Sequence, residues 1–99
     1  MMFEVGQTVG VPCEIQGGAF SNEYLVSIHT NDVILSGFAD AGNVRPNPGD
    51  HSKGTIGATV VEVGSDFLKL RMHGSFFTIA AGTTHFPFEW ANNHIQVSA

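Results

Sequence analysis

No stretch of a dozen residues in this chain places apolar side chains at the i, i+3, i+4, i+7 spacing of an amphipathic helix. What recurs is a short alternating run of branched and aromatic residues between turn signals. Twelve Gly and four Pro interrupt the 99 residues every few positions. Val (ten), Thr (seven) and Phe (eight) are frequent, whereas Leu (four) and Lys (two) are scarce. Branched and aromatic side chains fit a pleated, half-buried surface, and good helix formers are few. The pattern predicts a single all-β domain of six to seven strands, either a small barrel or two packed three-stranded meanders.

Along the chain, the alternation predicts strands at Thr8–Ile15, Tyr24–His29, Val33–Phe38, Thr55–Val63, Phe67–Met72 and Ser75–Ala80, with a last short one around Ile95 and Val97. Val9, Val11 and Cys13 share one face, and Pro12 within that strand predicts an edge or a bulge because proline cannot donate to the ladder. Lys69 and Arg71 mark a solvated face, which turns Leu68, Leu70 and Met72 inward. His73-Gly74 reads as a hairpin turn. Ala41–Gly54 (AGNVRPNPGDHSKG) reads as a long segment without regular structure, of the kind that is often functional. It joins two stretches, 5–46 and 54–97, that resemble each other faintly: NEYLVSI at 22–28 against SDFLKLR at 65–71.

Composition narrows the partners. Four basic against nine acidic residues give a net charge of −5, which argues against nucleic acid and against an anionic membrane surface. One cysteine excludes an intrachain disulfide. The opening MMFEVGQTVG has neither the basic region nor the apolar run of a secretory signal, so a cytoplasmic protein is expected.

Residues 5–46, through VGQTVGV, EYLVSI and SGFADAGNVRP, resemble bacterial Src-homology-three-type domains. That resemblance implies a small β-barrel. It departs from the family at Asn43, where an aromatic residue usually precedes the final Val, so no functional residues are carried over. FFTIAAGTTH at 76–85 is similar to the second conserved segment of cupins. That likeness implies His85 as a metal ligand, although the family's His-x-His segment is missing upstream.

Chemistry-bearing residues are sparse. Five histidines fit no zinc spacing, and only a closed loop over 86–93 would bring His85, His94 and Glu89 together as a ligand set. Cys13 faces the expected core, and four basic residues are too few to build the electropositive setting that a nucleophilic thiol needs. GQTVGV and GTIGATVV hold glycines but lie on strands with no helix following, so neither is a phosphate loop. No cofactor is implied and no catalytic residue is assigned.

The most distinctive feature is HFPFEW at 85–90. Drawn out as a strand, it puts Phe86, Phe88 and Trp90 on one side, either as a lid on the core or as an exposed strip. Phe67, Tyr24 or Leu25, and one of Phe76 and Phe77 should also face outward, which predicts self-association as a homodimer or larger oligomer. The expected function is a non-catalytic binding module for a protein or small molecule. Its expected surface combines Phe86, Phe88, Trp90 and His85 with Arg45 and Asn47 of the long segment. The alternatives are a cupin-like metal or small-ligand binder using His85, and a structural subunit of a larger assembly.

Overall fold

The computed structural model describes residues 3–17, 22–31, 34–76 and 83–97. The chain is all-β. Strands β1 (Thr8–Gly17), β2 (Glu23–His29) and β3 (Ile34–Asp40) form an antiparallel meander, and a short 3-10 turn at Ala41–Asn43 leads into β4 (Val44–Asn47). Then come β5 (Asp50–Val63), β6 (Phe67–Met72), β7 (Ser75–Phe76), β8 (Thr83–Pro87), helix α1 (Phe88–His94) and β9 (Gln96–Val97). Among the described residues, nine strands make one sheet in the order β7-β3-β2-β1-β5-β6-β8, with β4 added beside β5 and β9 beside β1. The count exceeds the expected six to seven through β4, which falls in the segment expected to lack regular structure, and β8, which runs into the aromatic segment at 85–90. Among the described residues, no helix is long and apolar enough to cross a membrane.

The sheet curls on itself. β6 and β7 are separated only by His73-Gly74, yet β7 pairs with β3 near the opposite end of the strand order. His73-Gly74 is therefore a crossing that draws the two ends together, and not the hairpin turn expected. The remainder of the expected sixth strand, 77–80, lies outside the described residues. A bulge in β5 between Val60 and Glu62 adds local twist.

Curling gives each strand an inner and an outer face. Val9, Val11, Cys13 and Ile15 of β1, Val26 and Ile28 of β2, Ile56, Ala58 and Val60 of β5, and Leu68, Leu70 and Met72 of β6 are buried. Cross-strand pairs such as Val11 with Ile56 and Val60 with Leu70 tie these rows together. No polar or charged residue is buried among those described. At about 25 cal/mol per Å² of apolar surface, that core is the main stabilising term.

Two expectations about Pro and Gly are overturned. Pro12 does not mark an edge strand, since β1 lies in the middle of the sheet. On the side away from β5, β1 pairs with β9 at Val9 and Gly10 and with β2 from Glu14 onward. Pro12 falls in the gap between them, where its missing N–H costs no ladder bond. The segment 41–54 is likewise not a long loop. β4 and β5 form a hairpin around Pro48-Gly49, and β4 pairs only with β5, so Pro46 is tolerated on an outer strand. Gly54 permits the approach, because a Cβ there would run into the Arg45 carbonyl oxygen and meet Ile15 Cδ1 at 2.9 Å. At the start of β5, Asp50 Oδ1 accepts the Ser52 hydroxyl at 2.6 Å and the Ser52 N–H at 3.0 Å. Those two bonds hold its carboxyl below the usual range.

Candidate functional site

The aromatic segment is not an extended strip. Phe86 on β8 stands opposite Leu68, faces inward and is fully buried. Pro87 then ends the strand, the Phe88 N–H donates to Asp66 O at 2.9 Å, and the chain turns into α1. The helix buries Trp90 and Ala91 and is followed by buried Ile95. Trp90 stacks on Phe86 at 5.4 Å on one side and on His94 at 4.7 Å on the other. His94 is fixed by donating Nδ1–H to the Trp90 carbonyl at 2.8 Å. Phe88 is half-buried and meets Phe3 edge-on at 6.0 Å. The segment is a lid whose rings run from the core to the surface.

His85 is exposed on the outer face of β8, its ring edge-on to Phe67 at 4.9 Å. Glu89 is exposed on the first turn of α1. The loop closure that would have joined His85, His94 and Glu89 is replaced by a strand-to-helix turn. Among the described residues, no group of three or more His, Cys, Asp or Glu is placed to hold a metal ion. Phe67, expected to project outward, is half-buried and lies over Gly64, where a Cβ would strike its ring. Tyr24 is half-buried against the core. Phe77 lies outside the described residues.

Arg45 and Asn47 are both exposed on β4 but line different hollows. Asn47 borders one of about 410 Å³ that also reaches Pro12, Cys13 and Trp90 through the gap in the edge of β1. Burial pushes the Cys13 thiol up from its usual 9.0 to about 11, so it is neutral and unreactive near pH 7. Beside it, His29 Nε2 and Glu14 Oε2 lie 2.7 Å apart on the exposed surface, an arrangement that contributes little.

Arg45 lines a more structured cleft of about 260 Å³ on the outer face of β1 and β5. Its floor is Gly10 directly opposite Gly57, a cross-strand pair without side chains between the two longest strands. Thr55 stands across from Arg45 on one side, and Asn43 and Gln96 complete a polar rim. His73 covers the other side of Gly57. Its N–H donates to Gly57 O at 3.0 Å, and its Nε2 shares a hydrogen bond with Thr59 Oγ1 at 2.8 Å. The imidazole therefore lies over Gly57 with Nδ1 2.8 Å from where a Cβ would be.

The two glycines differ in what requires them. Gly57 leaves room for His73. Gly10 has no such duty: the nearest atoms to a Cβ there would be those of the Thr55 side chain, at an ordinary contact distance of 3.4 Å and beyond, and Gly10 does not have a positive φ. Glycine inside a strand costs about 0.5–1 kcal/mol relative to Ala. Packing does not explain that cost at Gly10, whereas an open cleft does. Thr55 and Gln96 were not expected at a site, and Gly10 and Gly57 were noted only as glycines on strands with no helix following. The usable signal was a lone glycine within each of two strong strand patterns, VGV and IGA, which points to close approach of something to the backbone.

No family model matches the chain, and neither the curated proteins nor the solved structures contain a match.

Proposed function

We propose that this chain is a small non-catalytic β-barrel binding module that works through the Gly10–Gly57 cleft. The supporting observation is the unforced glycine at Gly10, facing Gly57 beneath a rim of Arg45, Thr55, Asn43 and His73. The rim offers hydrogen-bond donors and acceptors around exposed backbone, suited to a small polar ligand that lies against the sheet. The geometry favours binding over catalysis: His73 is held by Thr59, and the Cys13 thiol is neutral.

The test is an amide correlation spectrum of the isotope-labelled protein, titrated with small water-soluble fragments of positive, negative and neutral charge. Hits should shift the amides of Gly10, Gly57 and Gln96 and be lost in Gly10→Val, with the rest of the spectrum unchanged. Hits confined to the Trp90–His94 side, or none at all, would sink the reading.

A second reading, self-association, draws on β3. Ile34 (57% exposed) and Phe38 (38% exposed) share its outer face, and half-buried Leu25 of β2 stands across from Phe38. Sedimentation equilibrium should show a dimer or larger species that Ile34→Asp dissociates. A monomer at high concentration would end this second reading alone.

A further inference from the structure

We propose that the Gly10–Gly57 cleft recognises its ligand through an oxyanion, a carboxylate or a phosphate, seated against Arg45; this deepens the binding reading above and rests on it. The chain carries nine acidic and four basic residues, yet among the described residues no acidic one lines this cleft and Arg45 does. In so acidic a protein, a hollow whose one formally charged side chain among the described residues is a cation selects against the protein's own sign.

The pairing register adds to the argument. Arg45 on β4 stands across from Thr55, and Arg71 on β6 stands across from Thr59, on the outer face that bears Gly57 between them. Two of the four cations thus flank the floor along β5. The close contact to a carboxylate found among the described residues joins His29 to Glu14, so neither arginine is matched to a carboxylate there. A guanidinium presents a planar fork of donors that fits two oxygens at once, and Thr55, Asn43 and Gln96 supply neutral polar groups for the rest of the ligand. Glu23 and Asp40 border the adjoining hollow beyond Asn43 and His73, which confines an anion to the Arg45 end.

The experiment titrates the labelled full chain at low ionic strength with three probes: malonate, inorganic phosphate and the uncharged malonamide. Malonate, phosphate or both should shift the Gly10 and Gly57 amides saturably, and malonamide should not. Arg45→Gln should weaken binding at least tenfold and Arg71→Gln by less. Lys53→Gln, which lies away from this cleft, should leave it unchanged. Added salt should weaken binding as well. Response to malonate alone assigns a carboxylate ligand, and response to phosphate alone assigns a phosphate. An equal response to malonamide, or binding that survives Arg45→Gln, overturns the oxyanion while leaving the cleft as a binding site. Silence with all three probes also overturns it, and the neutral and cationic fragments then decide separately whether the cleft reading falls too.

Discussion

Truncating Phe86 to Ala separates a core lid from a surface strip. The ring is fully buried, stands opposite Leu68 and stacks on Trp90 at 5.4 Å. Removing a buried phenyl ring costs about 3–5 kcal/mol, through lost transfer energy and the cavity left behind. A domain of this length has roughly 5–15 kcal/mol of stability in all, so the change removes a large part of it. With a urea m-value of about 1–3 kcal/mol/M, the unfolding midpoint should fall by roughly 2 M. Phe88→Ala is the matched control, because Phe88 is half-buried and its ring partner is Phe3 at 6.0 Å. Its cost should be about 1–1.5 kcal/mol from partial burial. Urea unfolding followed by Trp90 fluorescence reads both variants. If Phe86→Ala costs less than about 1 kcal/mol, or no more than Phe88→Ala, the ring is not in the core and the lid account fails.

Three further outcomes follow from the packing. Gly54→Ala should cost more than about 2 kcal/mol, because the new methyl meets the Arg45 backbone, whereas Gly57→Ala displaces only the His73 ring and should cost about 1 kcal/mol or less; thermal melts rank the two. Gly10→Ala should leave the melting temperature unchanged or raise it slightly, and a marked loss would show that packing requires this glycine after all. Cys13 should resist iodoacetamide in the folded protein at pH 8 and react rapidly in urea. Because burial raises its folded-state pKa from 9.0 to about 11, its contribution to stability is complete below pH 9 and is lost as pH climbs from 9 to 11. Chemical unfolding at steps across that window should show the decline, and a flat profile would contradict the burial.

The all-β class was legible because long alternating runs report a buried face directly: β6 was expected at Phe67–Met72 and lies there. Other elements were hidden for identifiable reasons. β4 contains Pro46 and abuts Pro48-Gly49, so its residues read as breakers, and only the partner strand β5 makes them a ladder. Helix α1 has seven residues, too few for a helical period to stand out from an alternating aromatic run, and Pro87 fixes where it starts. The β6-to-β3 crossing depends on the curl of the whole sheet, which no local pattern encodes. Arg45 was singled out among the surface residues, but the glycine floor was not. Its two halves are 47 positions apart in sequence and meet only through the β1–β5 register.

Calorimetric titration of malonate and of inorganic phosphate into the unmodified chain and into Arg45→Gln bears most directly on the claim that the β1–β5 cleft seats an oxyanion against Arg45. One saturable site per chain, present in the first protein for at least one of the two anions and at least tenfold weaker in the second, is the expected result. Identical heats in the two proteins, or no saturation in either, would contradict it.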